Sequence, residues 1–98
     1  MDKKQAIELA RRYKAAVSER VPVKALYLYG SFSKDTYTAD SDIDIAVVVD
    51  SLSDDYFADT PLLWRIRRKI SNLIEPVLLT EDINNPLYSD VVKTGILI

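Results

Sequence analysis

Hydrophobic positions near the N-terminus recur at steps of three and four residues, the spacing of an amphipathic helix. The apolar side chains concerned are Ala6, Ile7, Leu9, Ala10, Tyr13, Ala16 and Val17. We therefore predict a first helix from Lys3 to Glu19, which Pro22 prevents from continuing. A shorter run rich in aromatic and β-branched residues, Val23 to Tyr29, ends at Gly30 and predicts a strand followed by a turn.

The centre of the chain contains a nearly continuous apolar run from Ile43 to Val49. Such a run predicts a strand buried on both faces. Residues 31–41 before it are polar and leave room for one or two helical turns. The acidic stretch after it, with Asp54, Asp55 and Asp59, lacks the glycine and the spacing of a calcium-binding loop, so we predict a solvated loop there.

Thr60 and Pro61 predict the start of a second helix, with the threonine as N-cap and the proline at the first helical position. This helix is expected to extend to about Leu73. The side chains that it is expected to bury are Leu63, Trp64, Ile66, Ile70 and Leu73.

The last quarter of the chain predicts a strand, a short helix and a final strand. Pro76 to Thr80 forms the third strand, and its proline suits an edge strand or a strand start. Asn85 followed by Pro86 repeats the signal for a helix start, and Gly95 would end that helix. Ile96 to Ile98 completes the set. The order of elements indicates an α/β fold with a sheet of three or four strands flanked by helices.

The length of the chain limits how it can be organised. A chain of 98 residues has the size of one small domain, and we expect a single domain over residues 1–98. The sequence contains no run of the roughly 18 to 20 apolar residues that a membrane-spanning helix needs, and no signal-peptide core at its N-terminus. We therefore expect a cytoplasmic protein that does not enter the membrane.

The composition limits which catalytic groups and metal ions the protein can use. The chain contains no cysteine and no histidine, which excludes thiolate nucleophiles, disulfides, zinc clusters and Ser-His-Asp triads. Carboxylates, hydroxyls and ammonium groups remain, and these favour a hard cation such as Mg²⁺. The formal net charge of −2 argues against direct nucleic-acid binding. The basic cluster of Arg65, Arg67, Arg68 and Lys69 is interpreted as a solvated helix face, with contact to a partner or to RNA as the alternative.

Two short segments bring together residues able to act on a phosphate. Asp42 and Asp44 open the buried strand on one face, where two carboxylates need a cation, a basic partner or open water. Gly30 and Ser31 follow the first strand, where a glycine permits a sharp turn and a serine offers its hydroxyl and amide to a phosphate. These groups meet only if the first two strands are antiparallel. Glu75 joins them only if the second and third strands are parallel, so the site hypothesis predicts a mixed sheet.

The same two segments resemble the signature of a known family. Tyr29-Gly30-Ser31-Phe32-Ser33-Lys34, followed by Ser41-Asp42-Ile43-Asp44 and its apolar strand, is similar to the signature of the DNA polymerase β-type nucleotidyltransferases, and specifically to their minimal nucleotidyltransferase (MNT) group. The resemblance covers nearly the whole chain and implies a single-domain nucleotidyltransferase fold.

The resemblance implies a role for each motif residue. Asp42, Asp44 and Glu75 would be the catalytic carboxylates and the ligands of a two-ion Mg²⁺ site. The residues that would bind ATP or another nucleoside triphosphate are Gly30, Ser31, Lys34 and Ser41. Two departures from the family pattern stand out: Asp35 lies near the place of a second glycine, and Glu75 replaces an aspartate that is common in polymerising members.

The implied activity is Mg²⁺-dependent transfer of a nucleoside monophosphate, AMP from ATP, to a hydroxyl of a protein acceptor. Stand-alone proteins of this group resemble antitoxins paired with a helical HEPN-family toxin, so the resemblance also implies such a partner. The alternative is a non-catalytic module with the same fold that binds a nucleotide or masks a partner. Whether the chain forms a homo-oligomer is left open.

Overall fold

The computed structural model describes residues 1–51 and 56–98, with side chains for 1–51 and 59–98. Within these residues, three helices, a 3₁₀ turn and four strands follow one another. They are α1 (Lys3–Ser18), β1 (Ala25–Tyr29), β2 (Ile43–Val49), α2 (Tyr56–Ile66), the 3₁₀ turn (Arg67–Lys69), β3 (Ile74–Thr80), α3 (Pro86–Thr94) and β4 (Ile96–Leu97). In the described part of the chain, no helix is both long and apolar enough to cross a bilayer.

The strands form one sheet in the order β3-β2-β1-β4. β1 is antiparallel to β2, and Tyr29 lies opposite Asp44. β2 is parallel to β3, and Asp44 lies beside Glu75. Both orientations are those that the site hypothesis required, so the predicted mixed sheet is confirmed. Pro76 lies in the edge strand β3, where the missing amide hydrogen costs no bond to a neighbouring strand.

Alternation along β2 directs its side chains to two cores of different size. Ile43, Ile45 and Val47 point into the larger core, between the sheet and the two helices α1 and α2. Ala46 and Val48 point to the opposite face, where α3 covers them with Val91. Asp44 belongs by alternation to this second face, which only α3 among the described helices covers. The thinner cover leaves the acid end of β2 accessible.

The ends of α1 and α3 follow local capping chemistry, which the sequence predicted for α3. Asp2 caps α1 and forms a reciprocal pair of hydrogen bonds with Gln5. The Asn85 side chain accepts a hydrogen bond of 3.0 Å from the Leu87 amide, with Pro86 at the start of α3. Gly95 ends the same helix. β1 begins two residues later than predicted, whereas β2 has the predicted bounds.

The start of α2 differs from the prediction. α2 begins at Tyr56 and contains Pro61, so Thr60 does not cap it and Asp59 is helical rather than in a loop. The Thr60 hydroxyl is buried without a hydrogen-bond partner in the described structure. The proline removes one helical hydrogen bond, and burial of the apolar face offsets this loss. Residues 54 and 55 of the predicted loop lie outside the described residues.

Trp64 is 39% exposed, which corrects the expectation that it is buried. Leu63 and Ile66 face the core, and a residue next to Leu63 is rotated by about 100° around the helix. The Trp64 ring instead packs under the guanidinium of Arg67, whose Cζ lies 4.6 Å from the ring centroid. Residues 31–41, which leave room for one or two helical turns, begin with a single turn over residues 30–35, in which the Lys34 amide donates to the Gly30 carbonyl.

Tyr13 connects α1 to α2. Its hydroxyl donates a hydrogen bond of 2.7 Å to the Leu63 carbonyl oxygen, and burial raises the pKa of the phenol. We expect Tyr13→Phe to lower the free energy of unfolding by about 1–2 kcal/mol, because the buried carbonyl loses its partner. Urea unfolding measures this loss, and Tyr37→Phe, in a half-buried ring stacked on Phe32, is the control. Equal losses in both variants would contradict the assigned role of the Tyr13 hydroxyl.

Candidate active site

The end of β1 and the start of β2 lie side by side and bring the two motifs together. Gly30 has φ of +72°, a left-handed conformation that favours glycine. Its Cα lies so close to β2 that a Cβ at this position would overlap Oδ2 of Asp44 and stand 3.2 Å from Cγ. The glycine is therefore required both by its backbone conformation and by its contact with the acid.

The loop after Gly30 is folded back by its own hydrogen bonds. The Gly30 carbonyl accepts bonds from the Lys34 amide at 3.1 Å and from the Ser33 hydroxyl at 3.0 Å. Phe32 is fully buried and stacks on Tyr37, with ring centroids 4.7 Å apart. Ser31, half-buried, is thus held at the end of β1 between Gly30 and an anchored aromatic residue.

Three carboxylates occupy the acid end of the sheet. Asp44 is half-buried, and burial together with the charge of Asp42 raises its pKa. Loss of hydration and the neighbouring Asp42 and Asp44 also raise the pKa of Glu75, which Arg67 counteracts. Asp42 and Glu75 are exposed. The pKa shifts indicate that the three acids form one interacting group in which negative charges repel one another.

Tyr29 belongs to this group, although the sequence motif gave it no role. It lies opposite Asp44 in the β1–β2 pair. Burial raises the pKa of its phenol, and the charges of Asp44 and Glu75 raise it further. The phenol is therefore a neutral hydrogen-bond donor near neutral pH. The sequence could have placed Tyr29 on the acid face. Leu26 and Leu28 point into the larger core, so by alternation Tyr29 points to the opposite face, which is also that of Asp44.

Lys34 and Ser41, two predicted nucleotide contacts, already have protein partners. The Lys34 ammonium lies 3.4 Å from Oδ2 of Asp90 in α3. The Ser41 hydroxyl accepts a hydrogen bond of 2.7 Å from the Thr38 amide and so holds the turn before Asp42. Their roles toward a nucleotide stay predictions. A phosphate that engaged Lys34 would compete with Asp90.

Asp35, the acid that departs from the family pattern, is turned toward α1. Its carboxylate lies 2.9 Å from the ammonium of Lys3, which neutralises its charge. Its φ is +57°, so the backbone at this position favours glycine, asparagine or aspartate. This conformation explains how aspartate can stand where family members carry glycine.

We expect Asp35→Gly to leave the free energy of unfolding within about 1 kcal/mol of the wild type, because relief of the left-handed conformation offsets loss of an exposed ion pair. Asp35→Val should destabilise the protein by about 1–2 kcal/mol or more. Thermal unfolding of both variants compares the two effects. A valine variant as stable as the glycine variant would contradict the role assigned to the backbone.

The donor set at the acid end suits a hard divalent cation. Asp42 and Asp44 supply carboxylate oxygens from one face of one strand, and their mutual repulsion would be relieved by a cation. Among the described side chains, no three acids are gathered in an arrangement that could by itself ligate a metal ion. Mg²⁺ commonly takes one or two protein carboxylates and completes its shell with water and substrate phosphates. The Asp42–Asp44 pair fits that pattern, and ligation by Glu75 stays a prediction.

The comparisons with known proteins identify the family of the chain. Residues 10–96 match the family described as nucleotidyltransferase domain. The chain belongs to this family, whose members generally use a nucleoside triphosphate and a divalent metal. It is a nucleotidyltransferase domain. Its sheet combines antiparallel and parallel strands, as the positions of the motifs predict.

Two archaeal relatives cover nearly the whole chain. Both are proteins of Methanocaldococcus jannaschii with the provisional name of protein adenylyltransferase. One is 27% identical over 90 residues, and the other is 26% identical over 95 residues. Each alignment spans 92% of this chain and 90% of the relative.

A crystal structure shares the fold. It is provisionally described as a nucleotidyltransferase from Sulfolobus solfataricus, with a TM-score of 0.70 and 24% sequence identity. The match covers 97% of this chain and 80% of that one.

Proposed function

We propose that this protein transfers AMP from ATP to a hydroxyl group of a protein acceptor, with Mg²⁺ held by Asp42 and Asp44. The close approach of Gly30 to the Asp44 carboxylate carries the proposal, because it places the turn after β1 directly against the acid pair. The names of the two archaeal relatives support a protein acceptor.

In the proposed reaction, the oxygen of the acceptor hydroxyl forms a bond to the α-phosphorus of ATP. The bond from that phosphorus to the bridging oxygen of the β-phosphate breaks, and pyrophosphate leaves. Glu75 accepts the proton of the hydroxyl. A divalent cation, when bound, neutralises charge on the phosphates and lowers the barrier to their displacement.

The chain's own residues contribute to the reaction by binding and orienting the reactants. Gly30 and Ser31 hold the triphosphate beside β2, and Lys34 exchanges Asp90 for a phosphate oxygen. The neutral phenol of Tyr29 is available next to the acids as a hydrogen-bond donor. Catalysis on this scheme comes from alignment and charge neutralisation.

The acceptor is proposed to be a co-encoded helical toxin of the HEPN family, which this protein would neutralise as an antitoxin. Apolar side chains that a partner could cover are exposed in the structure: Trp64, Ile83, Val92 and Leu97. The alternative is neutralisation by masking alone.

The test is label transfer from α-labelled ATP with Mg²⁺, with the neighbouring gene product as acceptor. We expect label on the neighbour with the wild type and none with the Asp42→Asn/Asp44→Asn double variant or after chelation of the metal. Asp40→Asn, in the exposed turn before the strand, is the matched control and should retain transfer. Tight binding and neutralisation without label, in wild type and double variant alike, would support masking and overturn the enzymatic proposal.

A further inference from the structure

Arg67 is a member of the basic cluster whose side chain turns inward. It begins the 3₁₀ turn between α2 and β3 and is half-buried, whereas Arg68 and Lys69 in the same turn are exposed. Its interpretation as part of a solvated face therefore does not hold. A half-buried guanidinium thus lies shortly before the start of β3.

The guanidinium is fixed by three contacts. Nη1 donates hydrogen bonds to the carbonyl oxygens of Asn72 at 2.6 Å and Ile74 at 3.1 Å. Its planar face lies over Trp64. The two carbonyls belong to the segment that leads into β3, so Arg67 holds the backbone immediately before Glu75.

The pairing of β3 shows from which side Arg67 approaches. The Ile43 amide donates to the Leu73 carbonyl at 2.8 Å. Because carbonyls alternate in direction along a strand, the Ile74 carbonyl points away from β2, toward the open edge of the sheet. Arg67 therefore binds β3 at its outer edge, whereas β2, which contains Asp44 and is directly preceded by Asp42, lies on the inner side.

Glu75 lies beside Asp44 in the β2–β3 pair and directly follows Ile74, whose carbonyl Arg67 binds. Lysine could not replace Arg67 fully, because its ammonium lacks the delocalised guanidinium that lies over the Trp64 ring while one of its nitrogens donates to both carbonyls.

We propose that Arg67 is a positioning residue for nucleotidyl transfer, which holds the start of β3 and keeps the Glu75 carboxylate in place beside Asp42 and Asp44. The inference rests on the proposed function, in which Glu75 accepts the acceptor proton. Arg67 itself touches neither nucleotide nor acceptor. Its effect should appear in kcat, with the KM for ATP nearly unchanged.

The experiment is a double-variant cycle of Arg67→Met and Glu75→Gln, assayed by label transfer to the neighbouring gene product. We expect Arg67→Met to lower kcat by about 10–100-fold and to change the KM for ATP by no more than about twofold. Arg67→Lys should restore part of kcat. In the Glu75→Gln background, Arg67→Met should lower kcat no further. Arg68→Met, at the exposed neighbour, is the control and should behave as wild type.

A loss in kcat that is equally large with and without Glu75 would overturn the proposal, since it would show a general structural effect. A rise in the KM for ATP at constant kcat would also overturn it and assign Arg67 to nucleotide binding.

A thermal-unfolding measurement needs no enzymatic activity. Arg67→Met should lower the Tm by about 4–8 °C in the wild-type and the Glu75→Gln backgrounds alike, because the hydrogen bonds to the Asn72 and Ile74 carbonyls and the contact with Trp64 are lost in both. If the wild type transfers no label to any neighbour, the proposed function fails, while this measurement still tests whether Arg67 holds the start of β3. A Tm that Arg67→Met leaves unchanged would overturn that role.

Discussion

Replacing Gly30 by alanine is expected to reduce nucleotidyl transfer by at least about 100-fold, because the new Cβ must displace the Asp44 carboxylate. A non-glycine residue at φ of +72° is also strained by about 1–2 kcal/mol, so the variant should be moderately less stable. Initial rates of label transfer, measured below the Tm of the variant, separate lost activity from lost folding.

Gly95→Ala is the matched control for this result. A Cβ at Gly95 would press against the backbone carbonyl of Val91 and lie 3.4 Å from that of Leu28, without touching an acid. It should therefore lower stability and leave transfer by the folded protein largely intact. Full activity in Gly30→Ala, at normal stability, would show that the close approach of turn and acid is not needed for the reaction.

Asp44→Asn is expected to stabilise the protein near neutral pH while abolishing transfer. Burial and the charge of Asp42 raise the pKa of Asp44 in the folded state above its usual 3.8. The folded state therefore binds the proton more tightly than the unfolded chain, and its stability falls as the pH rises from about 4 through the folded-state pKa. Asparagine removes this penalty. Because the carboxyl is only half-buried, solvent screening limits the gain to less than about 1 kcal/mol.

Urea unfolding in the presence of a chelator, at pH 7 and at pH 3, measures this effect. The advantage of Asp44→Asn should be present at pH 7 and absent at pH 3, where Asp44 is protonated in both states. Asp50→Asn is the control, since it removes an exposed acid that pairs with Lys24 at 3.1 Å and should give no gain at pH 7. An Asp44→Asn variant that is less stable at pH 7 would show that the ionised carboxylate is favourably bound in the metal-free protein.

The sheet could be predicted from the sequence because its chemistry constrains its topology. Gly30 follows one strand and Asp44 begins the next, so the two can meet only in an antiparallel pair. Glu75 lies at the start of a later strand, so it can join them only if that strand is parallel to the one that Asp44 begins. The bounds of β2 were predictable for a different reason: a nearly continuous apolar run has clear ends where Asp42 and Asp50 interrupt it.

Contacts between distant parts of the chain could not be predicted. The pairing of Lys3 with Asp35 and of Lys34 with Asp90 spans 32 and 56 residues. Their formation depends on how α1 and α3 pack on the sheet. The inward turn of Arg67 was hidden for a similar reason, because four basic residues within a short stretch have the composition of a solvated surface. The prediction from Thr60 and Pro61 was wrong because a local start signal does not show whether a helix has already begun.

Pro76 and Arg67 also determine how this sheet can meet another chain. At the outer edge of β3, Pro76 offers no amide hydrogen and the Ile74 carbonyl is already bound by the guanidinium. A foreign strand could not continue the hydrogen-bond ladder through this stretch, so edge-to-edge aggregation is disfavoured next to the acids. The edge of the sheet closest to the reacting groups therefore resists pairing with an extended chain.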